Sequence, residues 1–433
     1  MPGSSLVRVL ATSFLSGEAV VDQVFARGSA ILGRRWRWLR PLAQRYVEAF
    51  ALPLRPRRRE VVRFLLQDAG FRDARYKYGA AIGIEQWLAG PQRMRPAGAA
   101  AGWDIPAIES AGALARWLGL TSGELEWFAD LKGLTQTANP LLRHYHYRVR
   151  EKRSGGIRLI EIPKPRLKEL QRRILAGILD KVPPHPAAHG FVKGRSIRSF
   201  AAPHAARRVV LRMDLRDFFP SLSGARIQTF FRTAGYPESV ADLLGGIATN
   251  AVPRDVLRNA AFEARALFAR PHLPQGAPTS PALANICAWR VDCRLAGLAR
   301  SVSAAYTRYA DDLAFSGDEE FERRVDRFST HVAAVLAEEG FHVNHRKTRI
   351  MRQGVQQRLA GLAVNRHLNV TRASFDNLKA ILTNCVRLGP AGQNREAHPA
   401  FRARLEGRVG FVESIHPEKG ARLRELLGKI HWE

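Results

Sequence analysis

Apolar and polar residues alternate over Tyr147–Ile162 on either side of a Ser154-Gly155-Gly156 turn, a pattern that predicts a two-stranded hairpin. The run Val209-Val210-Leu211-Arg212-Met213 reads as a strand ending at Asp214. The apolar segments Ala304–Tyr306 and Leu313–Phe315 flank Tyr309-Ala310-Asp311-Asp312 as the arms of a strand–turn–strand, which puts two adjacent carboxylates at its tip. Gln357–Val364 reads as a second tight hairpin, with Gly361 where a nucleic-acid strand can meet bare backbone.

Helical spacing governs most of the rest. It runs through residues 1 to about 90, forms an apolar stripe at Leu114, Trp117, Leu118 and Leu120, and predicts a helix over Leu167–Val182. Thr121-Ser122-Gly123-Glu124 is a capping-box pattern ahead of Leu125-Glu126-Trp127-Phe128. Pro91–Gly102 reads as a linker. The order strand, helices, strand–turn–strand, helix, strand, helices predicts an α+β fold around an antiparallel sheet. Three parts follow: a helical basic extension over 1–100, a central region over 101–370 and a helical region over 371–433.

Charge changes the picture. Among 433 residues, 68 Lys and Arg face 39 acids, a net +29, so a polyanion is the expected partner. Basic residues recur beside aromatics in Arg34-Arg35-Trp36-Arg37-Trp38 and His144-Tyr145-His146-Tyr147-Arg148, where stacking and phosphate contacts combine. The three cysteines, Cys287, Cys293 and Cys385, lack zinc-ligand or disulfide spacing, which fits a reducing cytoplasm. No run approaches the ~18 uninterrupted apolar residues of a membrane span. Ala43–Leu54 is amphipathic, but Pro53 and Pro56 cut it short and a core-facing helix is expected.

The candidate chemistry centres on Asp214, Asp311 and Asp312. Carboxylates at a strand end and a turn can hold two Mg²⁺ ions, with the Leu215 carbonyl as a further hard oxygen ligand. Holding two cations near an α-phosphate can supply most of the acceleration of phosphoryl transfer to a 3′-hydroxyl. Strand-end capping is the alternative for Asp214 and Asp217. Phe219 would lie under an incoming sugar and exclude a 2′-hydroxyl, whereas one of Phe218 and Phe219 is expected to be core. In Leu273–Pro281, Gln275 is available to a base and Gly276 to close backbone approach, unless the stretch is a plain helix N-terminus. Arg158 and Lys152, on the predicted hairpin, suit triphosphate oxygens or a solvated face. Lys347 suits proton donation to departing pyrophosphate, or a phosphate contact. His189 and His204 lack carboxylate partners and read as structural or RNA-facing.

Together these segments resemble bacterial reverse transcriptases, and most closely the retron group, over roughly Leu114–Trp432. His189–Ile197 is similar to the family's fingers motif. Ala201-Ala202-Pro203-His204 falls where retron enzymes carry Asn-Ala-x-x-His, with Phe200 in place of the Asn. Leu359-Ala360-Gly361 stands in place of Val-Thr-Gly and keeps only the glycine. The resemblance implies a right-hand polymerase with fingers, palm and a thumb over Ser374–Trp432, using dNTPs and two Mg²⁺ ions. It implies Gly361, Arg195 and His204 beside primer or template, and Arg402, Arg404 and Arg408 in a thumb that grips cognate RNA. It further implies that a structured noncoding RNA is copied from a 2′-hydroxyl of an internal guanosine, giving branched msDNA, in an antiphage system with an effector protein. A non-retron defence enzyme is the rival, and a catalytically idle RNA scaffold is the alternative of another class. A group II intron enzyme is disfavoured because the chain stops after the thumb, and an RNA-dependent RNA polymerase is disfavoured by Phe219.

Overall fold

The computed structural model describes residues 3–51, 55–86, 92–136, 139–152 and 156–432. The chain divides into two compact units, Met1–Pro183 with Phe219–Leu283, and Pro184–Phe218 with Ala284–Glu433.

The first unit begins with helices Gly3–Leu15, Val21–Ile31, Leu39–Ala49, Arg58–Gln67 and Ala69–Tyr78. Their apolar stripes meet in a core of their own, with Leu10, Phe14, Leu39, Leu42, Tyr46, Val61, Leu65 and Phe71 buried. Asp68 fixes one helix start by accepting from the Phe71 amide at 2.7 Å, and its carboxylate also takes the Arg45 guanidinium at 2.7 Å. The expected linker is tied down where it is described. The Arg95 and Ala97 amides donate to the carbonyls of Gly235 and Thr233 at 2.8 and 3.0 Å; Pro91 lies outside the described residues.

The Thr121 capping box forms as expected, with Thr121 Oγ1 accepting from the Glu124 amide and Glu124 accepting from the Thr121 amide. Strands β1 (Tyr145–Glu151) and β2 (Ile157–Pro163) pair antiparallel, and the Ser154-Gly155 part of their turn lies outside the described residues. The following α-helix, Pro165–Gly177, stops short of Val182. Gly177 is a poor helix former, and a 3₁₀ turn, Leu179–Lys181, carries the chain on.

In the second unit, β3 (Val209–Asp214), β4 (Ala305–Tyr309), β5 (Asp312–Gly317) and β6 (Arg349–Arg352) form an antiparallel sheet in the order β4-β5-β3-β6. Helix Glu319–Glu338 buries Phe321, Val325, Phe328, Val332 and Leu336, one stripe at helical spacing. A small sheet of β7 (Arg358–Leu359), β8 (Leu362–Ala363) and β9 (Asn369–Val370) leads to helices Arg372–Leu388, Phe401–Ile415 and Pro417–Gly428. Leu378, Leu382, Leu405, Val409, Val412 and Leu423 close the core of this end. Among the described residues no helix is long and apolar enough to cross a membrane.

Candidate active site

The β3–β5 ladder sets Asp214 directly opposite Asp312, and Asp311 stands beside them in the turn between β4 and β5. Asp214 is almost fully buried. Its Oδ2 takes the Lys347 ammonium at 2.9 Å, its Oδ1 accepts from Asn344 Nδ2 at 3.1 Å, and its main-chain carbonyl accepts from the Asn344 amide at 2.8 Å. The Asp311 carbonyl accepts from the buried Leu215 amide at 2.9 Å, which ties the turn to the end of β3. Burial first, then repulsion from Asp214 and Asp312, pushes the Asp311 carboxyl above its ordinary pKa, with Lys347 opposing. Asp312 meets Arg212, which gives both Nε and Nη2 to Oδ1 at 3.0 and 2.7 Å.

The turn itself is held from beneath. Ala310 lies in the left-handed region with φ +54°. The Arg308 guanidinium donates to the Ala310 carbonyl at 3.2 Å, to Asn285 Oδ1 at 3.0 Å, and to both oxygens of Asp292 at 2.8 and 2.6 Å. Burial opposes the charge on Arg308, but the Asp292 carboxylate overcomes it and raises its pKa. Tyr306 donates its hydroxyl to Asp292 at 2.7 Å. Asn285 Nδ2 donates to the Gly190 carbonyl at 2.8 Å, and a Cβ on Gly190 would stand 2.5 Å from the Ala310 nitrogen. Gly190 is therefore glycine because the Tyr309–Asp312 turn rests on it.

Asp214 and Asp311 supply hard carboxylate oxygens, and the repulsion that raises the Asp311 pKa is what a divalent cation relieves, so these two residues fit a metal. Among the described residues no group of three His, Cys, Asp or Glu stands close enough to hold one, with Asp312, the expected third ligand, drawn to Arg212.

Other expected residues fall in several places. Asp217 has φ +48° and meets Arg216 at 3.3 Å. Phe218 is the core member of its pair, packed on Phe341 with ring centroids 5.8 Å apart and with the Arg308 guanidinium 5.9 Å over its ring; Phe219 is half-buried and belongs to the first unit. In that unit Gly276, φ +138°, lets the chain pass close to β2: its Cβ would stand 2.6 Å from the Glu161 carbonyl oxygen, and the Gln275 carbonyl accepts from the Glu161 amide at 3.0 Å. The buried Glu161 carboxylate is held by Asn250 Nδ2 at 2.7 Å and His272 Nε2 at 3.0 Å. Arg158 is exposed and faces Arg150 in the hairpin register, and Lys152, half-buried, donates its amide to the Gly156 carbonyl. Gly361, φ +86°, follows Ala360, φ +45°, and the two turn β7 into β8.

Of the two readings of His204 the geometry fits the structural one and not a primer or template contact: it has no solvent exposure, and its ring lies between Ser316 Oγ at 2.7 Å and Thr307 Oγ1 at 2.8 Å, so it braces β4 against β5. Arg195, partly exposed, donates its Nη1 to the carbonyls of His185, Pro186 and Ala188, which closes the local loop. Sequence reasoning missed Arg212, Asn285, Asp292 and Arg308 as parts of the site. Arg212 had a signal, since it lies two residues before Asp214 and therefore on the same strand face.

Residues 150–375 match the family model described as reverse transcriptase (RNA-dependent DNA polymerase), over half of the chain. Retron Mx65 reverse transcriptase of Myxococcus xanthus is 44% identical over 290 residues, 65% of this chain and 64% of that protein. Retron Mx162 reverse transcriptase of the same organism is 37% identical over 340 residues, 74% of this chain and 67% of that protein. Retron Ec86 reverse transcriptase of Escherichia coli is 30% identical over 275 residues, 63% of this chain and 77% of that protein. The chain thus belongs to the reverse transcriptase family, in its retron group. It spans just under two thirds of the length of the Mx65 relative.

Proposed function

We propose that the chain is an RNA-directed DNA polymerase that copies part of a cognate structured noncoding RNA into DNA, giving branched msDNA in a retron antiphage system with an effector protein. The observation that carries the polymerase reading is the convergence of Asp214, at the end of β3, with Asp311, 97 residues later (311 minus 214) in the β4–β5 turn beside it. Family membership supports the retron part.

In this reading residues 1–100 are an added helical unit, 101–370 the fingers and palm, and 371–433 the thumb. Asp214, Asp311 and the Leu215 carbonyl would hold two Mg²⁺ ions, with Asp312 less directly coordinated, and the ions would supply neutralisation of the phosphates and activation of the attacking hydroxyl. Lys347, which pairs with Asp214 at 2.9 Å, would lend a proton to departing pyrophosphate once released from that carboxylate. Lys152 and Arg158 take triphosphate oxygens. Phe219 selects the deoxy sugar, with Asp217, Gln275 and Gly276 around the nucleotide. Gly361 presents bare backbone to the primer.

The test is purification from the native locus beside Asp311→Ala/Asp312→Ala. RNase-sensitive branched DNA from wild type and RNA alone from the variant is the expected outcome. RNA without attached DNA, from a protein that still extends an added primer, points to another defence lineage; no metal-dependent incorporation at all leaves an RNA scaffold.

A further inference from the structure

The sheet face that carries the metal pair has a charge problem. Asp214 and Asp312 are directly opposed across β3 and β5, where like charges destabilise a ladder. Two cations divide the carboxylates between them. Lys347 takes Asp214, while Arg212, two residues back on β3 and so the diagonal neighbour of Asp312, takes Asp312 through two nitrogens on one oxygen. Asp312 is Arg212's anion: the residue opposite Arg212 on β6 is Arg349, whose guanidinium turns to the carbonyls of Arg346 and Thr348. The Arg212 and Asp312 side chains are 32% and 20% exposed, sheltered enough for geometry to persist and open enough to exchange.

We propose that Arg212 is a positioning residue that binds Asp312 away from the Asp214–Asp311 pair, so that divalent metal finds a two-carboxylate seat with Asp312 outside it. The inference rests on the metal seat assigned above and adds a residue to it. Arg212 makes no contact with a reacting group. By fixing Oδ1 of Asp312 it sets how many negative charges face the cation, and charge count is a main control of divalent affinity. A third unrestrained carboxylate would hold the cation more tightly and compete with substrate phosphate for its coordination positions.

The experiment is Mn²⁺ titration of the full-length, RNA-free protein by calorimetry and electron paramagnetic resonance, with nucleotide incorporation measured in parallel. Arg212→Met should bind Mn²⁺ more tightly, on the order of tenfold, and incorporate more slowly at saturating metal. Arg212→Lys should recover most of the wild-type affinity, and Arg212→Met/Asp312→Asn should return affinity to the wild-type value, because the carboxylate that Arg212 restrains is then gone. Asp312→Asn alone should leave Mn²⁺ affinity near wild type. If Asp312→Asn weakens Mn²⁺ as much as Asp311→Asn does, Asp312 is itself a ligand and the proposal is wrong; if Arg212→Met lowers melting temperature with Mn²⁺ affinity unchanged, Arg212 is only a ladder ion pair. Should Arg212→Met fail to fold, the Asp312→Asn titration still decides. Failure of the seat itself is separate: then Asp214→Asn and Asp311→Asn leave Mn²⁺ binding untouched.

Discussion

Arg308 and Asp292 form a two-pronged ion pair in which neither side chain has any solvent exposure, three residues before Asp311. Removing one member strands a buried charge, whereas replacing both with apolar groups removes two desolvation penalties together. Arg308→Met is therefore expected to destabilise the protein by about 3–5 kcal/mol, and Arg308→Met/Asp292→Leu to recover most of that in denaturant unfolding. The double variant still lacks the donor to the Ala310 carbonyl, so its incorporation rate should stay low despite restored stability. Recovery of rate along with stability would reduce the pair to a packing element.

His204 gives the protein an acid-sensitive joint. Burial is the main cause that drives its pKa from 6.5 down to about 3, with nearby His189 and Arg207 adding to it. Thr307 Oγ1 donates onward to the Phe200 carbonyl, so it accepts from His204 Nε2–H, and Nδ1 accepts from Ser316. The neutral ring is thus the bonded form. A depressed histidine pKa means the unfolded chain takes the proton first: stability is full above about pH 6.5 and falls as pH drops toward about 3. His204→Gln, which keeps one donor and one acceptor, should flatten the dependence of melting temperature on pH across that window. An unchanged slope would place the acid-sensitive group elsewhere.

How far the sequence reveals this site depends on the range of each interaction. The strand ending at Asp214, the Asp311-Asp312 turn and the Thr121 capping box rest on neighbours within a few residues, and periodicity exposes them. Lys347 was visible as a cation near the chemistry, yet its pairing with Asp214 spans 133 residues and appears only when β3 and the segment after helix Glu319–Glu338 converge. Asp292 looks like one more charge on an amphipathic helix, and its role exists only because β4 lays Arg308 against it. His204 is ambiguous in the sequence for the converse reason: a polar residue among signature positions reads as structural or as RNA-facing until its two hydroxyl partners, more than 100 residues away, are in place.

Gly276 makes a sharper structural demand than its loop suggests. At φ +138° and with the Glu161 carbonyl oxygen 2.6 Å from where a Cβ would sit, Gly276→Ala combines backbone strain with a clash against a strand backbone that cannot yield cheaply. The expected loss is about 1–3 kcal/mol in chemical denaturation, with a raised KM for dNTP if Gln275 also shifts. Wild-type stability would mean that β2 and this loop separate readily.

Phe219 carries the prediction that separates a DNA product from an RNA one. Its neighbour Phe218 is buried against Phe341, whereas Phe219 is half-buried, and in the proposed reading it is the Phe219 ring that lies under the incoming sugar. A flat ring under the sugar rejects a 2′-hydroxyl by lack of room, and a pocket that discriminates by space alone is worth roughly 10- to 100-fold. Phe219→Ala should therefore lower the preference for dNTP over rNTP by about that factor, mainly by raising rNTP incorporation, with dNTP turnover falling less. The measurement is kcat/KM for matched dNTP and rNTP on one primer–template. A variant that loses both activities equally would make Phe219 a packing residue, and sugar selection would then have to come from another side chain around the nucleotide.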